Sequence, residues 1–366
     1  MSGGRWAIGV VAALLLGAPP ASADPPSIWA RTRRPDLDRR AELLAEAEGL
    51  QLKYHHLHST RSRHAFDRQE IESLSQLYLT RASILLEEAG VRTGSDLFAR
   101  YQLAEVYGFM GKPAKSAEVL ESIVRASPPP VLRARAHAQL AVDYAHLSRV
   151  EDEITQYGEA LRDQSIPHER SRLLANRAEA YMLLGDITAA VDGYRAALAL
   201  LTTDHMIFGS GPTTLWGLAV ALDRSGDLEG GLESVRLARS YDAQDEQLSN
   251  EHGWFFLPDY DRHWYGALGH WMVARKTDMG SVRVDAYARA VADWEAYVAK
   301  AGAAPDDKWV ALARVRLAQC KKERAELLRR EKTRLTEETH RRGKKAAGAS
   351  RPLTPEELLK GWGADP

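Results

Sequence analysis

From about residue 96 onward, apolar residues recur at i, i+3, i+4 and i+7, the spacing that lays one buried stripe along an α-helix. No segment alternates apolar and polar residues as a half-buried strand would. Four windows repeat one order of residues: 101–124, 138–161, 175–198 and 216–239. Each carries a small residue (Ala104, Ala141, Ala178, Ala219), followed three positions later by Tyr107, Tyr144, Tyr181 or Leu222. Seven positions after the small residue stands a turn former: Gly111, Ser148, Gly185 or Gly226. Ser116, Glu153, Ala190 or Gly231 comes at twelve, and Leu120, Tyr157, Tyr194 or Val235 at sixteen. The small residues are spaced 37, 37 and 41 positions apart.

This order predicts helix hairpins. A small residue lets the two helices of a hairpin approach closely. The tyrosine fills the space beside it while its hydroxyl reaches a polar edge. A glycine after the first helix permits the left-handed conformation that ends it, and Asp186 and Asp227 suit a turn or an N-cap. No hairpin buries both of its faces alone, so neighbours must stack.

The pattern resembles the tetratricopeptide repeat (TPR). Window 175–198 matches it most fully, with Ala178, Tyr181, Gly185, Ala190, Tyr194 and Ala197 all in place. Window 138–161 departs by placing Glu153 at the usual Ala, and 216–239 lacks both aromatics. A degenerate fifth unit is built on Gly269, with Ala290, Trp294 and Tyr297 on its second helix and a connecting loop longer than the pattern requires. The resemblance implies an all-α fold, a right-handed α-solenoid of antiparallel helix hairpins, in an exported bacterial TPR protein.

Residues 36–60 and 67–90 read as an irregular opening hairpin, with an Asp67–Glu70 capping box at the start of its second helix. Residues 307–342 read as a long closing helix, apolar at first (Trp309, Leu312, Val315, Leu317) and then basic, with a net charge of +6 between Lys321 and Lys345. AAGAS (346–350) has linker composition, and Thr354 to Glu357 form a capping box that opens a short tail helix. The expected organisation is a signal peptide (1–23), a helical cap (24–95), four TPR-like repeats (96–245), an aromatic-rich fifth repeat (246–305), a capping helix with a basic end (306–346), and a linker with tail helix (347–366).

The first 23 residues place Arg5 before a short apolar core, Ala7 to Leu16, and end in Ala21-Ser22-Ala23. This is the layout of a secretory signal peptide, so cleavage near Ala23 and a periplasmic or secreted location are expected. No later segment is apolar enough to span a membrane. Across 366 residues, 49 basic and 50 acidic side chains nearly balance, which argues against a general nucleic-acid binder. The single cysteine, Cys320, excludes a disulfide framework and reads as a passive helix residue.

Two stretches carry candidate chemistry. His55, His56, His58 and His64 include an i, i+3 pair, but no acid or cysteine at matching spacing completes a metal site, and none is expected. Residues 252–272 read first as an aromatic-rich plug where the repeat breaks. The second reading is a ligand-binding or sensing patch using Asp259, His263, Trp264 and His270. No nucleophile-elbow, P-loop, dinucleotide-binding or H-E-x-x-H motif is present, and neither an enzyme nor a cofactor is expected.

The TPR resemblance implies that the first helix of each hairpin lines a concave groove for a protein segment. Counting from the small residues, the groove positions are Tyr101, Gln102, Glu105, Arg135, Gln139, Arg172, Asn176, Glu179 and Trp216, with Val142, Val220 and Arg224 beside them. The family's carboxylate-gripping version needs lysines and asparagines here, whereas Glu105 and Glu179 would repel an acid. A protein partner with apolar anchors and at least one basic residue is expected. The function expected is a non-enzymatic scaffold or adaptor of the bacterial envelope.

Overall fold

The computed structural model describes residues 35–58, 68–245, 258–304 and 307–345, together with Thr354 and Glu357. Among them are fourteen α-helices and no strand. In order these are α1 (Pro35–Leu57), α2 (Arg68–Glu88), α3 (Leu97–Phe109), α4 (Pro113–Arg125), α5 (Pro130–His146), α6 (Val150–Asp163) and α7 (Pro167–Leu184). They continue as α8 (Ile187–Leu198), α9 (Thr203–Phe208), α10 (Gly211–Arg224), α11 (Leu228–Tyr241), α12 (Arg262–Lys276), α13 (Gly280–Ala301) and α14 (Val310–Lys345). The described residues form two compact units, the first ending at Ala180 and the second beginning at Tyr181. The signal-peptide residues, His64, Asp67 and AAGAS lie outside the described residues.

The hairpin turns follow from sequence chemistry. Gly111, Ser148, Gly185 and Gly226 all have positive φ, from 58° at Ser148 to 99° at Gly226. Each closes the same pair of backbone bonds, shown by Gly185 N–H to Met182 C=O and Asp186 N–H to Tyr181 C=O at 3.1 and 2.9 Å. This is the Schellman arrangement, which satisfies the carbonyls a helix end leaves open. Asp186 and Asp227 then cap the next helices, accepting from the N–H groups of Ala189 and Gly230. Asp96 caps α3 in the same way.

In the first unit, α1 packs on α2, α2 on α3, α3 on α4, α4 on α5 and α5 on α6, while α3 also touches α5. That is the contact order of a TPR-type stack, in which first helices neighbour first helices. Ala104 and Ala141 are fully buried; Leu103, Val106, Leu120, Ile123 and Leu132 share the core of Ala104, and Tyr157, Ala160 and Leu173 that of Ala141. The tyrosine hydroxyls reach polar edges as expected: Tyr144 donates to Glu121 at 3.0 Å, and Tyr107 accepts from Arg92 at 2.8 Å. His58 bonds Ser75 of α2 at 2.9 Å, and His55 stacks edge-on against Phe109 of α3, so the histidines serve the packing of the opening hairpin.

In the second unit, α10 packs on α8 and α11, α12 on α11 and α13, and α13 on α14. The 41-residue spacing is taken up by α9, a six-residue helix that packs on α10. Gly217 is required by close approach: a Cβ there would lie 2.5 Å from the Tyr194 ring. The core is aromatic, with Trp264 edge-to-face against Trp294 and Tyr297, each at 5.0 Å.

Two expectations are corrected here. The fifth hairpin has no long loop: residues 277–279 alone join its helices, and the additional residues lengthen α13 to 22. On α14, Val315 is 58% exposed, and Arg316 takes the inward position beside Ala313 and Cys320. Its guanidinium is drawn inward by buried Asp223 at 2.7 Å. At the tail, Thr354 and Glu357 exchange both capping-box hydrogen bonds.

Candidate functional site

Three first helices of the first unit, α3, α5 and α7, enclose a cleft of 360 Å³. Tyr101 and Glu105 come from α3, Arg135 and Gln139 from α5, and Arg172 and Asn176 from α7, with Tyr157 of α6 behind them. Six of the nine expected groove residues therefore line one cavity. The helical period explains the convergence: 101 and 105, 135 and 139, and 172 and 176 are each four apart, so each pair shares a face. Ala134, Ala138, Val142 and Leu173 give apolar walls, and Val131 (69% exposed) and Ile166 (48%) form an open rim.

The cleft floor is polar and partly dry. Burial pushes the Glu105 carboxyl up to about 7, against the pull of Arg135 and a hydrogen bond with Tyr101. Tyr101 is raised well above its ordinary value, first by burial and then by Glu105. The Arg135 guanidinium lies 5.7 Å from the centre of the Tyr101 ring, within cation–π range. Arg172 donates to Glu169 through Nη2 at 2.6 Å and Nε at 3.2 Å. Burial opposes ionisation of Glu169, yet Arg172 holds it below the usual carboxylate range. Asn176 donates to the Tyr157 hydroxyl at 3.3 Å, and Arg133 grips Asp163 through two bonds of 2.6 and 2.7 Å.

The remaining expected residues fall elsewhere. Gln102 and Glu179 are half-buried on α3 and α7 and do not line the cleft. Glu179 acts on Glu153, whose carboxyl is raised to about 9 by burial and then by that neighbouring charge. Trp216 is a correction: at 1% exposure it is core, its ring beside Gly269 and Arg239. Val220 and Arg224 are buried as well, because α10 is packed on all sides.

The patch expected at 252–272 is also rearranged, and its residues 252–257 lie outside the described residues. Trp264 is fully buried and donates to Asp223 at 2.9 Å, so it offers no stacking face to a ligand. Asp259 is exposed and pairs with Arg262 at 3.6 Å. His263 and His270 share Asp293 of α13, with Nδ1–oxygen distances of 3.3 and 2.9 Å. Sequence reasoning missed Asp293, which lies on another helix. Both rings turn Nδ1 toward that one carboxylate. Lys300 Nζ lies 3.0 Å from Nε2 of His263. Among the described residues, no three His, Cys, Asp or Glu side chains group to hold a metal ion.

No protein-family model matches the chain, and no curated protein matches it. Solved structures give partial likenesses. MamA aligns at 12% identity over 49% of this chain and 98% of its own, with a TM-score of 0.39. BtubC from P. vanneervenii aligns at 20% identity over 57% of this chain and 91% of its own, with a TM-score of 0.42. The nearly identical TPR-like repeats assigned to a Podosopora anserina kinesin light chain align at 17% identity over 57% and 98%, with a TM-score of 0.43. The TPR-type character of the fold rests on its own hairpins: the buried small residues, the recurring Schellman turns and the first-helix contacts.

Proposed function

We propose that this chain is a non-enzymatic interaction scaffold or adaptor of the bacterial cell envelope that receives a segment of a partner protein between α3, α5 and α7. One observation supports this above the others. The cleft joins an exposed apolar rim at Val131 and Ile166 to a floor of polar groups supplied by three successive hairpins. Apolar side chains of a guest would gain by burial on the rim, while the floor would fix register through hydrogen bonds. The apolar core and small-residue cleavage site of residues 1–23 support export as the route to that location. Among the described residues, no helix is long and apolar enough to cross a membrane.

The test is a photo-crosslinking amino acid placed at position 131, whose valine forms the exposed rim of the cleft. Crosslinks to one envelope protein that disappear on filling the cleft with Ala138→Trp support the proposal. Capture unaffected by Ala138→Trp would move the interaction off this cleft.

A further inference from the structure

The carboxylates of the cleft differ in how they are satisfied. Asp163 is held by Arg133 and Glu169 by Arg172, both at ion-pair distance. Glu105 makes no ion pair among the described residues, and Tyr101 on its own helix is its hydrogen-bond partner. A carboxylate has about four acceptor positions, so most of its capacity is open toward the cavity. Arg135 of α5 attracts Glu105 without pairing to it and lies instead over the Tyr101 ring. An incoming acid would meet Glu105 at the floor and Glu169 at the wall.

We propose that Glu105 is the specificity determinant of the cleft and receives the guanidinium or ammonium group of an arginine or lysine from a partner protein segment whose apolar neighbours lie on Val131 and Ile166. This rests on the cleft being the docking site. A desolvated carboxylate with spare acceptors gains more from a cation than an exposed one does, because water screens the pair less. Burial already holds the Glu105 carboxyl near 7. The charged and titratable groups facing it are Tyr101 on α3 and Arg135 on α5, with Glu169 and Arg172 on the α7 side of the cleft. Binding of a cation therefore favours the ionised form, and affinity rises as pH climbs through about 7.

The experiment is selection of a phage-displayed random dodecapeptide library on the full chain, on Glu105→Arg and on Ala138→Trp, each variant checked by circular dichroism. Expected is enrichment of arginine or lysine beside apolar residues on the full chain, reversal toward aspartate or glutamate on Glu105→Arg, and loss on Ala138→Trp. A selected peptide should bind Glu105→Gln about tenfold more weakly at pH 8, a loss of the size a charge-assisted contact gives. The gain in affinity between pH 6 and pH 8 should vanish in the same variant. Enriched peptides blocked by Ala138→Trp but indifferent to charge at position 105 would overturn the proposal while leaving the cleft as the docking site. Enrichment unaffected by Ala138→Trp, or none at all, would overturn both.

Discussion

The buried ion pair between α10 and α14 makes a quantitative claim that stability measurements can reach. Asp223 is wholly buried and accepts from Arg316 Nε at 2.7 Å and from Trp264 Nε1 at 2.9 Å. Asp223→Leu strands the Arg316 charge, which costs about 3–5 kcal/mol, and orphans the indole N–H, which adds about 1–3 kcal/mol. Arg316→Met costs less at acid pH, because burial already raises the Asp223 carboxyl and the acid can escape by protonating. Without Arg316 its folded-state pKa climbs further above the unfolded value, so that variant loses stability as pH rises. In the double variant Asp223→Leu/Arg316→Met, only the orphaned indole remains, at about 1–3 kcal/mol. The two single costs should therefore exceed the double cost by at least about 3 kcal/mol, a large share of an ordinary domain's stability. Urea denaturation followed by tryptophan fluorescence is the assay. Trp216, Trp264, Trp271 and Trp294 are all buried in the second unit, so the signal reports that unit. Additive costs, with coupling under about 0.5 kcal/mol, would refute the claim that this pair fastens α14.

Three further outcomes are expected. Ser148 carries φ of 58° in a turn where three sister positions are glycine, so Ser148→Gly should stabilise the first unit by about 0.5–1 kcal/mol and raise its melting temperature. Burial lifts the carboxyls of Asp143 to about 7 and Glu153 to about 9, above their unfolded values, so their favourable contribution is complete below the unfolded pKa and disappears as pH rises through the folded ones. Circular-dichroism melts should show falling stability from pH 5 to pH 9, with a shallower slope in Glu153→Gln. Cys320 is fully buried, and burial followed by Glu323 pushes its thiol up to about 12, so dithionitrobenzoate should react with it only after unfolding.

The turns and close contacts were legible because they are local demands. A left-handed residue must follow the first helix, and a small one must sit where backbones meet, so Gly111, Gly185, Ala104 and Ala141 announce themselves by spacing. The burial of Cys320 was legible from the helical pattern around it. The Asp223–Arg316 pair was not, because it joins positions 93 residues apart and depends on which face α14 presents. Val315 fitted the apolar stripe better than Arg316 did, and a buried acid on α10 reversed that preference. Periodicity supplies no charge partner from a distant helix.

The loss of the groove positions on α10 has a readable cause of the same kind. An offset counted from the small residue identifies a groove position only if the helix keeps one face open. On α5 and α7 that condition holds, and Arg135, Gln139, Arg172 and Asn176 line the cleft. On α10 it fails: every residue from Gly211 to Arg224 except Thr213 is buried. The sequence carried the warning, since WGLAVAL has no polar face, and a helix that is apolar all round is enclosed rather than amphipathic. The offset rule therefore needs a second condition, a polar residue within the same turn. Tyr101 with Glu105 and Arg172 with Asn176 satisfy it, and Trp216 with Val220 does not. By that criterion Trp216→Phe should lower the stability of the second unit while leaving every peptide selected on the cleft bound as before. Loss of peptide binding in a folded Trp216→Phe chain would return Trp216 to the binding surface.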